Sequence, residues 1–113
     1  MKNTKAIGDA GEDLAADFLA ENGYQIVGRN FRTKFGEIDI IAKEDGVLVF
    51  AEVKKKSSAR FGFPYEMVTT KKIEKIKRTA EAYISENSYK GEWRIDVVSI
   101  FGEKVELFKN ITT

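Results

Sequence analysis

The sequence predicts a small mixed α/β domain in which helices cover the faces of one sheet. Three observations carry this expectation. Two segments have apolar residues at helical spacing, and five have strand composition. The segments alternate in the order α-β-β-β-α-β-β. A chain of 113 residues has room for one core, so residues 1–113 are expected to form a single domain.

From about Thr4 to Asn22, Ile7, Ala10, Leu14, Ala15 and Phe18 fall on one helical stripe, and Asn22-Gly23 supplies a stop. Tyr24 to about Arg32 reads as extended. Gly36–Lys43 and Val47–Lys54 are β-rich runs around Glu44-Asp45-Gly46, a strong hairpin signal. Ser57–Pro64 reads as a loop. Thr69 or Thr70 caps a second helix ending near Asn87, with Ile73, Ile76, Ala80, Tyr83 and Ile84 on its apolar face. Trp93–Phe101 and Lys104–Phe108 are two further strands joined at Gly102.

Composition narrows the chemistry. The chain has 0 cysteines and 0 histidines. This excludes disulfides, thiol nucleophiles, Ser-His-Asp catalysis and imidazole or thiolate metal sites. Catalysis would rest on Asp, Glu, Lys, Arg, Tyr, Ser or Thr, with a hard metal ion held through oxygens as one option. The first fifteen residues hold no signal-peptide core, and no apolar run reaches membrane-spanning length. A soluble cytoplasmic protein with no membrane partner is expected.

The formal net charge is +1, but the charge is unevenly spread. Residues 54–78 hold nine Lys/Arg (54, 55, 56, 60, 71, 72, 75, 77 and 78) against Glu66 and Glu74, a net of +7. Residues 1–53 carry −4 and residues 79–113 carry −2. The blander explanation is a solvated helix face plus a charged loop. The concentration of charge favours an anionic partner.

The hairpin gives the sharpest inference. A two-residue type I′ loop at Asp45-Gly46 opposes Glu44 to Val47, Ile41 to Phe50, Asp39 to Glu52 and Glu37 to Lys54. Opposed residues share a face, and so do alternate residues along a strand. Glu37, Asp39, Glu52 and Lys54 should therefore cluster at one end of the hairpin. Ile38, Ile40, Val49, Ala51 and Val53 are expected on the other face. Opposed Asp39 and Glu52 repel each other. One remedy is a raised pKa with a shared proton. Another is a divalent cation such as Mg²⁺ between them, with Lys54 nearby to orient water or stabilise charge. The blander alternative is an exposed sheet end with a Glu37–Lys54 ion pair, worth under about 1 kcal/mol. Glu12 falls at the edge of the first helix's apolar stripe and could reach this end, or could lie in solvent. Gly8 and Gly11 are poor helix formers and imply close packing nearby.

The segments Gly8-Asp9-Ala10-Gly11-Glu12, Asn30-Phe31-Arg32, Gly36-Glu37-Ile38-Asp39-Ile40-Ile41-Ala42, Phe50-Ala51-Glu52-Val53-Lys54 and Arg94-Ile95-Asp96-Val97-Val98 together resemble the bacterial YraN family, also called UPF0102. That family is similar to archaeal Holliday-junction resolvases and is placed in the PD-(D/E)xK nuclease superfamily. The resemblance spans nearly the whole chain and implies a restriction-endonuclease-like mixed sheet flanked by helices. It implies that Asp39 is the motif acid, that Glu52 and Lys54 are the (D/E)xK pair, and that Glu12 is the supporting helix glutamate. The implied metal is Mg²⁺ or Mn²⁺, held by Asp39, Glu52 and Glu12 with the Val53 carbonyl as a further ligand. Ile38 stands where the motif's proline would be, as in many superfamily members.

The expected function is a metal-dependent endonuclease acting on DNA, including branched, Holliday-junction-like DNA. RNA is not separated from DNA by the sequence. The rival is a nucleic-acid-binding module that keeps this fold without cleavage; the intact Asp39, Glu52 and Lys54 set speaks against it. Lys55, Lys56 and Arg60 follow the site and suit phosphate contacts, and Lys71 and Lys72 in the first turn of the second helix rank after them. Arg29 and Arg32 are weaker candidates. Phe61, Phe63 and Tyr65 would stack on bases or pack a partner subunit, core packing being the more common outcome. Asp96 has the simpler reading of a buried acid paired with Arg94 or a lysine. Cutting two strands symmetrically requires two sites, so a homodimer is the reasonable expectation.

Overall fold

The computed structural model describes residues 10–56, 62–64 and 68–111. The elements are α1 (Ala10–Glu21), β1 (Gln25–Thr33), β2 (Gly36–Glu44), β3 (Val47–Lys55), α2 (Thr70–Glu86), β4 (Trp93–Phe101) and β5 (Lys104–Phe108). They follow the expected order, and the five strands form one sheet in the order β1-β2-β3-β4-β5. The β3–β4 pair is parallel and the other pairs are antiparallel. The parallel pair is reached through α2, as a crossover requires.

Apolar spacing places a core on each side of the sheet. On one side, Ala15, Ala16, Leu19 and Tyr24 pack on Ile40, Ala42, Val49, Ala51, Val98 and Ile100. On the other, Ile76 and Ala80 of α2 pack on Ile38, Ile41, Leu48, Phe50 and Ile95. Strand β3 lies between the two cores, which explains the unbroken apolar run Val47–Ala51.

The ends of the elements follow from local chemistry. Thr69 caps α2, its side chain accepting from the Lys72 N–H at 3.3 Å. After α1, Gly23 at φ 92° lets its own N–H reach Ala20 O and the Tyr24 N–H reach Leu19 O. This Schellman closure turns the chain into β1. Asp45 and Gly46 take φ 50° and 79°, the left-handed pair that the two-residue hairpin requires.

The hairpin register is the expected one from Glu44↔Val47 to Ile40↔Ala51. There the β2–β3 ladder ends, before Asp39 reaches Glu52. The β1–β2 ladder continues to Thr33↔Gly36, so β2 leaves β3 while staying with β1. The alternation of β2 also changes phase here. Ile38 joins the α2-side core, although strict alternation puts it with Ile40 on the α1 side. Across from Asp39, between the pairs Arg29↔Ile40 and Phe31↔Ile38, Asn30 has φ 56°. A left-handed residue interrupts the pleat of its strand, so the side-chain parity expected for a regular strand is lost.

Candidate functional site

The separation of β2 from β3 opens a gap in the sheet, and Asp39 fills it. Its Oδ2 accepts from the Val53 N–H at 2.8 Å, a bond that replaces the missing ladder contact. The carboxyl is mostly out of water and lies against Glu52, with Glu12 adding a second negative field. Burial, then the charge of Glu52, pushes its pKa up to about 8, against the pull of the Val53 N–H. A raised pKa is the first of the two remedies foreseen for this pair; a divalent cation between the carboxylates is the second.

Glu52 and Lys54 are on the α2 side of β3, with the Lys54 Nζ 2.9 Å from Glu52 Oε2. Both side chains are partly buried. Glu37 is paired with Arg32 at 3.4 Å. The β2–β3 ladder ends before Glu37, so it is not opposed to Lys54 in a regular pair. Glu37, Glu52 and Lys54 still share a cleft of about 230 Å³ with Gly36, Lys72, Lys75 and Ile76. One wall is therefore a strand end carrying carboxylates, and the other is the basic first half of α2.

Glu12 is buried, with 2% of its surface exposed, at the start of α1. Its place at the edge of the apolar stripe brings it into the field of Asp39, as the helical spacing suggested. Arg29 of β1 spans Glu12 and Asp13, at 3.1 and 2.8 Å. That arginine is thus committed to the acids of α1. Gly11 has its close neighbour: a Cβ there would stand 2.5 Å from Lys55 Cε. Gly8 lies outside the described residues.

The basic candidates separate into two groups. Lys55 extends along α1, and Lys56 is bonded to Glu106 of β5 at 3.0 Å, with 12% of its side chain exposed. Lys71 and Lys72 line clefts, and Lys72 shares one with Glu52 and Lys54. Of the two helix lysines ranked second from sequence, Lys72 is thus the one that shares a cleft with the carboxylates. Arg60, Phe61 and Tyr65 lie outside the described residues. Phe63 packs edge-on against Phe108, with centroids 5.4 Å apart. Asp96 is fully buried and paired with Arg94 at 2.9 Å, as its simpler reading held.

Sequence reasoning counted Lys75 in the basic stretch and Asn30 in a family segment but singled out neither of them, nor Phe35, as a site residue. Lys75 could have been found from helical spacing, since it lies three residues beyond Lys72 on the same face. Phe35 sits in a two-residue connection that no periodicity marks. Asn30 has a buried Oδ1 with no hydrogen-bond partner among the described residues. Among those residues no group of three or more acids is close enough to hold a metal ion by itself. No helix among them is long and apolar enough to cross a membrane.

Comparison with known proteins places the chain in a family. Residues 11–100 match the model of the uncharacterised protein family UPF0102. A UPF0102 protein of Caldicellulosiruptor bescii is 50% identical over 101 residues, covering 88% of this chain and 85% of the relative. One from Cytophaga hutchinsonii is 48% identical over 98 residues, 87% of each chain. One from Persephonella marina is 43% identical over 104 residues, 91% of this chain and 90% of its own. The match covers α1, every strand through most of β4, and all of Glu12, Asp39, Glu52 and Lys54; the chain belongs to the UPF0102 family.

Proposed function

We propose that this chain is a metal-dependent endonuclease that hydrolyses phosphodiester bonds in DNA, branched DNA included. In this reading the five-stranded sheet is the restriction-endonuclease-like core of the PD-(D/E)xK superfamily. The observation that carries the proposal is the meeting of Asp39, Glu52 and Lys54 where β2 leaves β3, beside a cleft walled by Lys72 and Lys75.

The donor set fits a hard divalent cation. Two carboxylates repel each other in a partly dry site, and an additional buried oxygen, Asn30 Oδ1, sits at the opposite position of the ladder without a partner among the described residues. Mg²⁺ or Mn²⁺ commonly takes one or two carboxylates and keeps its waters. Asp39 and Glu52 would hold it, with the Val53 carbonyl and Glu12 in support. When bound, the cation supplies counter-charge to the phosphate and lowers the pKa of an attacking water. The chain's own residues do the rest. The Val53 N–H orients the Asp39 carboxyl. Glu52 fixes the Lys54 ammonium at the cleft mouth, where it can meet a phosphate oxygen or the charge that develops on it. Lys72 and Lys75 attract the backbone, which makes binding salt-dependent. RNA presents the same phosphates, and a homodimer would serve cleavage of both strands of a duplex.

The rival reading is a binding module of the same fold that cuts nothing. The direct Glu52–Lys54 pair favours it, since that glutamate already has a counter-charge. Cleavage of end-labelled single-stranded, duplex and four-way-junction DNA with Mg²⁺ or Mn²⁺ separates the two. Metal-dependent cutting by the wild type, lost in Asp39→Ala and Glu52→Ala, is the expected result. Salt-sensitive binding without cleavage supports the module. Cutting that survives both substitutions displaces the site. A readout independent of turnover is the melting temperature: Mn²⁺ should raise it for the wild type and not for Asp39→Ala.

A further inference from the structure

A second cleft adjoins the first, and Lys75 lines both. It has a volume of about 440 Å³ and is lined by Lys34, Phe35, Lys71, Glu74, Lys75 and Arg78. Four of these are cations, the shared Lys75 among them, against one acid, Glu74, which leaves a strongly positive wall. Phe35 occupies the turn between β1 and β2, and 38% of its surface is exposed. The turn holds it there: the Phe35 N–H donates to Thr33 Oγ1 at 3.1 Å. Lys34 Nζ and Arg78 Cζ lie 5.4 and 5.7 Å from its ring centre.

An aromatic ring on a hydrogen-bonded turn, surrounded by cations and partly open to solvent, fits neither core packing nor a plain basic patch. Cations alone would serve any polyanion. The ring adds affinity for a flat π-system flanked by negative charge, which describes a nucleotide. Bases inside a duplex are stacked on their neighbours and present no face to such a ring. We infer that Phe35 is a stacking platform for an unpaired nucleobase, with Lys34, Lys71 and Arg78 meeting the phosphates on either side. This rests on the nucleic-acid reading of the adjoining cleft and specifies it: the substrate carries unpaired bases beside the point of cleavage, as at a branch, gap or single-stranded arm.

The test is binding in EDTA, which requires no cleavage. Full-length protein is titrated with oligothymidylate and, separately, with a matched duplex. Phe35→Leu keeps apolar bulk but removes the π-face, and should weaken oligothymidylate binding about tenfold while changing duplex binding by less than about twofold. Phe35→Trp should restore binding. It also adds a reporter to a chain with 1 tryptophan, Trp93, and its emission should be quenched by oligothymidylate and not by duplex. Unchanged oligothymidylate binding by Phe35→Leu, an equal loss on both probes, or emission unmoved in Phe35→Trp overturns the platform. If the wild type cuts DNA with metal while Phe35→Leu binds normally, the platform fails and the nuclease stands. Phe35-dependent binding without metal-dependent cutting gives the reverse. Binding to neither probe overturns both.

Discussion

Two aspartates, buried Asp96 and half-buried Asp39, lie toward opposite ends of β2 in opposite kinds of surroundings. Asp96 of β4 is enclosed by donors. Its Oδ1 accepts from Arg94 Nε and the Asn110 N–H, both at 2.9 Å, and its Oδ2 from the Tyr24 hydroxyl at 2.8 Å and Arg94 Nη2 at 3.2 Å. Arg94 continues to Glu44, which Lys109 also holds at 3.0 Å. Glu44 is kept below its ordinary pKa despite the cost of burial, because Arg94 and Lys109 bond to it. Burial, and then Asp96, pushes the Tyr24 hydroxyl upward. Asp39 receives one backbone N–H and otherwise faces Glu52 and the field of Glu12. The first cluster is compensated within the fold and ties β2, β4, the end of α1 and the segment after β5 together. The second sets Asp39 against other carboxylates with a single N–H donor, so ionising it is opposed. That asymmetry separates a structural network from a site prepared for an outside cation or proton.

The largest effect should come from breaking the compensated end. Arg94→Met leaves the buried Asp96 and Glu44 without their shared cation, and removing one partner of a buried pair costs about 3–5 kcal/mol. Urea unfolding at neutral pH measures it. A loss under about 1 kcal/mol, the scale of an exposed pair, would mean that the network is solvated and that the two ends do not differ as described.

The opposite sign is expected at the other end. Asp39 holds a proton up to about pH 8 in the native state, whereas an unfolded aspartate releases it near its ordinary value of 3.8. Between these values the native chain binds more protons than the unfolded one, so stability falls as pH rises through the window and levels off above it. Asp39→Asn keeps an acceptor for the Val53 N–H and cannot ionise. In EDTA it should match the wild type near pH 4 and exceed it by on the order of 2 kcal/mol at pH 9. Parallel stability–pH curves for the two proteins would remove the opposed ionisation of Asp39 on which the comparison depends.

Much of this was legible in the sequence, for identifiable reasons. Asp45-Gly46 fixed the hairpin register because left-handed backbone at both positions is chemically restrictive. Helical spacing brought Glu12 to the carboxylates, and the (D/E)xK spacing put Glu52 and Lys54 on one side of β3. What failed were inferences that extended a regular strand past its last paired residue. The phase change at Asp39 moved Ile38 to the α2 core, and the ladder ended before Asp39 and Glu37 could pair with Glu52 and Lys54 in register. Its local sign, a left-handed Asn30, is a backbone state that asparagine tolerates without requiring it. The pairing of Lys56 with Glu106 and of Arg29 with Glu12 depends on contacts between distant segments, for which charge counts give no rank.

The smallest effects lie in the glycines that place α1 between the two clusters. Gly23 has φ 92°, where a Cβ meets no neighbour within 4 Å but strains its own backbone. Gly23→Ala should cost about 1 kcal/mol and should loosen Tyr24, the next residue, from Asp96. Gly11 is the opposite case. It lies within the first turn of α1, where alanine favours the helix, and its obstacle is the flexible end of Lys55 rather than backbone. Gly11→Ala should displace that side chain and change stability by no more than about 0.5 kcal/mol. If Gly11→Ala proved as costly as Gly23→Ala, the Lys55 stem would be a rigid part of the acidic end. The contrast would then lie in charge alone, because both ends of the helix would be equally fixed by packing.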